Sequence, residues 1–282
     1  MLKDVKSYLG RCFAMKDLGE AAYILGIKIY RDRSKRLIGL CQSAYIEKIL
    51  KRYFIENSKR RTIPMQEKLK LSKSQGASTP AEKQRMQNVP YASAVRSIMY
   101  AVRCTHPDVA FAQNITSRFQ QNIGELDWTT VKNILKYLRN TKDMLLVYRG
   151  AVDWKSTKQS IFATSSTEAE YTAAYDASKE AVWIRKFIYG LCIVPIIEKP
   201  IKMYCDNTGT IAIAKESGIT KGARHYHAKV HYLQEVIEYG DVKIEKVHID
   251  DNLADPFTKV LAYPKHSEFT KNIGLIPASS LM

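Results

Sequence analysis

Apolar residues along this chain recur at two spacings, and the spacing divides it into elements. Ile24-Leu25-Gly26-Ile27-Lys28-Ile29-Tyr30 is β-branched and roughly alternating, Arg31 to Arg36 is polar, and Leu37-Ile38-Gly39-Leu40 is apolar again. The pattern predicts a β-hairpin with a basic tip. Ser43 stands where it can cap a helix in which Tyr45, Ile46, Ile49, Leu50 and Tyr53 recur at helical spacing, with Lys48, Lys51 and Arg52 on the other face. Residues 57–90 are rich in Lys, Ser, Gln and Pro, sustain no periodicity and read as a mobile connector with short helical pieces.

Order resumes at Tyr91, where Ala94, Ile98, Met99 and Val102 line one helical face. Pro107 opens a second helix through Phe119 carrying Val109, Phe111, Ala112 and Ile115, and Trp128 to Leu138 makes a third with Val131, Ile134, Leu135 and Leu138 inward. These three predict a small bundle. Ala151 to Lys155 is strand-like, and Thr167 to Tyr189 is a long helix whose buried stripe reads Ala173, Ala177, Ala181, Ile184 and Ile188. Ile201 to Tyr204 is a short strand ending on Cys205-Asp206, and Asn207 starts a helix carrying Ile211, Ala214 and Lys215. Tyr226 to Tyr239 is another helix, closed by Gly240; Val242 to Ile249 alternates as a strand; and Asn252 can cap a last helix that carries Asp255. Strands and helices mixed in this way make an α/β layer.

At 282 residues the chain is long enough for two domains with cores of their own. No apolar run approaches the roughly 20 residues of a membrane helix, and the start shows no secretory signal. The expected location is therefore intracellular, cytoplasmic or nuclear, with no membrane partner. Five scattered cysteines without a Cys-X-X-Cys pair argue against a disulfide framework or a zinc site. Charge says more: a net +16 and a pI near 9.5 favour a polyanionic partner, nucleic acid first, over an ordinary Lys-rich surface. The basic hairpin and the Lys48, Lys51 and Arg52 face suit a phosphate backbone, although any solvated helix shows such a face.

Thr167-Glu168-Ala169-Glu170-Tyr171, Cys205-Asp206-Asn207 and Asn252-Leu253-Ala254-Asp255 each put a carboxylate at the start or edge of a predicted element. Three carboxylates from separate parts of a chain are what a hard divalent cation needs, Mg²⁺ or Mn²⁺ rather than zinc. Each has a structural alternative. Thr167-X-X-Glu170 spells a capping box, Asn252-X-X-Asp255 can be read the same way, and Asp206 before Asn207 can be a turn or N-cap residue. His227 and His231 share one helix face just after His225, but no third ligand follows at suitable spacing, so they read as packing or substrate contacts.

Several of these segments resemble, in order, one family. Met15-Lys16-Asp17-Leu18-Gly19-Glu20, Leu25-Gly26-Ile27, Gln42-Ser43-Ala44-Tyr45, the Tyr91 to Tyr100 segment, Pro107-Asp108-Val109 and Leu135-Lys136-Tyr137-Leu138 are similar to the reverse-transcriptase tail of copia-type long-terminal-repeat retrotransposon polyproteins. Trp154-Lys155-Ser156, Thr167 to Tyr171, Cys205-Asp206-Asn207 and Leu253 to Lys259 resemble the ribonuclease H domain that follows it. The resemblance implies a helical thumb and connection region with a β-hairpin, then an incomplete ribonuclease H-like α/β domain. Residues 1–65 would hold the end of the palm, a primer-gripping hairpin and the first thumb helix; 66–90 a flexible connector; 91–145 the thumb and connection bundle; and 146–282 the ribonuclease H-like part. It implies that Glu170, Asp206 and Asp255 are catalytic metal ligands for hydrolysis of RNA in an RNA-DNA hybrid, and that the partner is such a hybrid or a primer-template. A polymerase Tyr-X-Asp-Asp motif would lie before Met1 and none occurs in the sequence, so no DNA synthesis is expected.

The sequence also departs from the family. The family opens its ribonuclease H domain with a strand bearing a first aspartate and then a second strand, whereas here Leu146-Val147-Tyr148-Arg149-Gly150 runs straight into Ala151-Val152-Asp153-Trp154. Loss of that ligand and those strands would cripple metal positioning and leave an unpaired sheet edge. Arg96 stands where the family tends to have glycine, His106 where it has arginine and Ile123 where it has proline. Together these point to a decayed copy or to coding sequence cut away.

Overall fold

Alternation between Ile27 and Cys41 does produce a hairpin. The computed structural model describes residues 2–148, 153–156, 158–159, 162–191, 199–216 and 227–280. It opens with helix α1 (Leu2–Cys12), which the sequence pattern does not announce, then strands β1 (Tyr23–Ile24), β2 (Ile27–Asp32) and β3 (Leu37–Cys41). β2 and β3 pair antiparallel, Lys28 opposite Cys41 through Asp32 opposite Leu37. The predicted strand start at Ile24 is corrected. Leu25 and Gly26 both have positive φ, 51° and 78°, the conformation of a two-residue turn between twisted strands, so β1 folds back on β2 instead of extending it.

Helix α2 (Ser43–Arg52) buries Ile46, Ile49 and Leu50. Gln42, not Ser43, is its N-cap; Gln42 is fully buried and its Oε1 accepts from Thr105 Oγ1 at 2.7 Å. The segment read as a connector carries helix α3 (Pro80–Gln87), capped by Thr79 with Glu82. Met65, Leu69, Leu71 and Val89 pack on the neighbouring core, and Ala77 and Met86 are buried. Single apolar residues at irregular spacing leave no period to read.

Helices α4 (Tyr91–Cys104), α5 (Ala110–Ser117) and α6 (Glu125–Thr141) form the expected bundle, with Ala94, Ile98, Val102, Val131, Ile134, Leu135 and Leu138 buried. Met99 is exposed, and Val95 and Ala101 fill the face instead. Pro107 begins a short 3₁₀ turn before α5 rather than the α-helix itself. His106 is wholly buried, bonded through Nδ1 to Thr105 Oγ1 (2.8 Å) and through Nε2 to the Thr141 carbonyl (3.3 Å). Strand β4 (Met144–Val147) then pairs with β3.

After helix α7 (Ser166–Gly190) come β5 (Ile201–Cys205), α8 (Thr208–Lys215), α9 (His227–Glu238) and β6 (Val242–Lys246); α10 (Asp255–Thr258), α11 (Tyr263–Asn272) and β7 (Leu275–Pro277) close the chain. β7 pairs with β4, completing a sheet in the order β1-β2-β3-β4-β7. The chain divides into two compact units, Met1–Ser156 with Leu253–Met282, and Thr157–Asn252. The C-terminal segment thus belongs with the bundle, not with a single block from residue 146 onward.

In the second unit β5 and β6 lie parallel, from Ile201 beside Val242 to Cys205 beside Lys246. Tyr171, Val182, Val230, Leu233, Val236, Val242 and Ile244 form its core. The buried stripe of α7 is rotated from the predicted one: Tyr171, Ser178 and Val182 are buried while Ala173 and Ala177 face solvent. Tyr171 sets that rotation, its hydroxyl donating to the Val230 carbonyl at 3.2 Å. Of the strand predicted at Ala151 to Lys155, residues 151 and 152 lie outside the described residues and 153–156 are irregular; Trp154 packs on the bundle, its indole N–H donating to the Val102 carbonyl at 3.0 Å. The strand expected to reach Ile249 ends at Lys246. Among the described residues no helix is long and apolar enough to cross a membrane.

Candidate metal centre

Helix α7 begins one residue before Thr167, and that register decides what its glutamates do. Ser165 is the N-cap, its hydroxyl accepting from the Glu168 amide at 3.2 Å, and Glu168 Oε2 accepts from the Thr164 amide (2.8 Å) and hydroxyl (2.9 Å). The capping role that the sequence allowed Glu170 therefore falls to Glu168, which is buried. Asn207 caps α8, its side chain accepting from the Thr210 amide at 3.0 Å, so Asp206 does not serve as that cap.

Glu170 and Asp206 face one another. Their carboxylate oxygens and the Cys205 sulfur all lie within 4.8 Å of one another, and among the described residues this is the one such group of three. Glu170 is exposed and Asp206 half-buried. Asn252 Nδ2 donates to Asp206 Oδ2 at 3.2 Å and orients it; Asn252 is not the N-cap of α10, which is Ala254, but ends the short 3₁₀ turn Ile249–Asp251. Burial first, then the charges of Glu170 and Asp206, push the Cys205 thiol up, while its contact with the Asn207 carbonyl (3.7 Å) acts the other way. In the sequence Cys205 is one of five scattered cysteines; its place beside two acids comes from the end of β5 meeting α7, which one residue string does not reveal.

An octahedral Mg²⁺ holds oxygens at roughly 2.1 Å, so opposite ligands stand roughly 4.2 Å apart. An exposed glutamate and a strand-end aspartate within 4.8 Å meet that span with a small side-chain rotation. The neutral thiol is a poor ligand for a hard ion, so the donor set that fits is the two carboxylates.

Asp255 lies in the other unit. It is the first residue of α10, buried, and ion-paired with Lys259 at 2.8 Å; it is not a member of the group formed by Glu170, Cys205 and Asp206. Lys48, Lys51 and Arg52 are exposed together on α2. Their acidic neighbour Glu47 is engaged by Lys142 at 2.5 Å, which holds its carboxyl below the usual range. His225 lies outside the described residues, and His227 and His231 are not packed away: His231 is exposed and His227 half-exposed.

The chain is mixed α/β, and the proteins it is similar to in sequence are retroelement polyproteins. The chain belongs to the copia-type retrovirus-related Pol polyproteins of transposons. It is 34% identical over 308 residues to the Retrovirus-related Pol polyprotein from transposon TNT 1-94 of Nicotiana tabacum, covering 98% of this chain and 23% of that protein. It is 26% and 27% identical to the corresponding proteins from transposons RE2 and RE1 of Arabidopsis thaliana, again over 98% of this chain and 20% of each relative. The chain therefore spans a quarter or less of the length of these relatives. No family model and no solved structure matches it.

Proposed function

We propose that the chain is a remnant of the reverse transcriptase and ribonuclease H region of such a polyprotein, with a much reduced capacity to hydrolyse RNA in an RNA-DNA hybrid. Glu170 and Asp206 are the carboxylates that would hold Mg²⁺ or Mn²⁺. The observation that carries this reading is the approach of Glu170 to Asp206 while Glu168 and Asn207 take the capping work. Bound there, the ion would activate water and stabilise the leaving 3′ oxygen of the RNA. The chain's own contribution is positional: Asn252 orients Asp206 through its side-chain amide.

Two observations support impairment. The tobacco alignment runs over 308 positions, more than the 282 residues of the chain, so the relative carries residues with no counterpart here. Among the described residues the sheet of the second unit has two strands, both parallel. A labelled RNA-DNA hybrid with Mg²⁺ tests the reading: cleavage far below that of an intact ribonuclease H, and lost in Asp206→Asn, is expected. Turnover equal to an intact enzyme, or cleavage untouched by Asp206→Asn, overturns it.

A second reading, favoured by the exposed Lys48, Lys51 and Arg52 face, is nucleic-acid binding without catalysis. It predicts affinity that falls steeply with salt, weakened by Lys48→Ala with Lys51→Ala. Salt-insensitive binding contradicts it.

A further inference from the structure

His227 and His231 stand one turn apart on α9, with Nε2 to Nε2 at 3.2 Å and ring centroids 4.2 Å apart at 75°. Two arrangements bring imidazole nitrogens this close. One is an N–H···N hydrogen bond between complementary tautomers; the other is a pair of lone pairs directed at one cation. A tetrahedral ion with metal–nitrogen bonds of roughly 2.05 Å separates two nitrogen ligands by roughly 3.3 Å. The observed separation is the bite of such an ion.

We propose that His227 and His231 form a two-histidine site for a borderline transition cation, Zn²⁺, Ni²⁺ or Cu²⁺, with solvent completing its coordination. His231 is exposed and His227 half-exposed, which leaves the pair open to an ion. The basic group nearest in sequence, Lys229, has its ammonium over the Tyr175 ring at 5.1 Å, where its charge is met by the aromatic face. Glu235, one turn beyond His231, puts a negative charge on the same helical stripe. Imidazole nitrogens select ions that the Glu170 and Asp206 oxygens do not, so the two sites divide hard from borderline cations. A ligand pair at i and i+4 also cross-links the first turns of α9, and binding energy spent there stabilises the helix.

Calorimetric titration of the full chain, free of any affinity tag, with Ni²⁺ and Zn²⁺ tests this. Binding that survives excess Mg²⁺, falls at least tenfold in both His227→Gln and His231→Gln, and is unchanged in Asp206→Asn and His248→Gln is the expected result. With Cu²⁺, electron paramagnetic resonance should show coupling to two imidazole nitrogens in the wild type and to one in each single variant. Equal affinity in the wild type and His231→Gln, or loss confined to His225→Gln or His248→Gln, overturns the assignment.

Discussion

Glu168 and Glu170 sit two residues apart at the start of α7, and the helix register alone separates their roles. Ser165→Ala, which removes the cap, should lower stability by about 1 kcal/mol and leave Mn²⁺ binding intact; Glu170→Gln should do the reverse. Denaturant melts and Mn²⁺ titrations of the two variants distinguish these outcomes. The sequence offered Glu170 for both roles and did not point to Glu168 as the capping residue, because Ser165, Ser166 and Thr167 all offer a hydroxyl at the helix entry. His106 and His266 carry a pH signature. Burial lowers the affinity of both rings for a proton, with Asp108 opposing it more weakly. The unfolded chain takes up protons below the ordinary histidine value near 6.5 and the folded chain does not, so stability should fall as pH drops from 7 to 5.5. Urea midpoints at the two pH values check this, and His106→Gln should flatten the difference; equal midpoints contradict it.

At the scale of elements, the bundle was readable because Ile98, Val131, Ile134, Leu135 and Leu138 recur at helical spacing and are all buried. Ile134→Ala should cost about 2–5 kcal/mol in a thermal or denaturant melt. Helix α7 was not readable in the same way. Alanine carries too little apolar surface to fix a helix's rotation, and Tyr171, reaching Val230, decided it. The hairpin was read with its first strand too long because Leu25 hides a turn that only Gly26 betrays. Gly240 behaves as its position after α9 suggested, at φ 73° with open space around its Cβ direction. Gly240→Ala should therefore cost about 1–2 kcal/mol from backbone strain alone, measurable in the second unit's unfolding.

At the scale of the whole molecule, the sequence order of motifs suggested a division near residue 146, whereas the C-terminal segment returns to the first unit through β7 pairing with β4. Such a return leaves no local trace, since it depends on a partner strand far away in the chain. The first unit holds the larger core among the described residues, and the second rests on two parallel strands with three helices. Amides of β5 and β6 should consequently exchange with deuterium before those of α4 and α6. The account stands most directly on divalent-ion binding by the acidic pair, measured by Mn²⁺ titration of the full chain carrying His227→Gln. It predicts one Mn²⁺ displaced by Mg²⁺, with affinity lost in Asp206→Asn and in Glu170→Gln but kept in Asn207→Ala; Mn²⁺ binding that is absent, or indifferent to both acids, would contradict it.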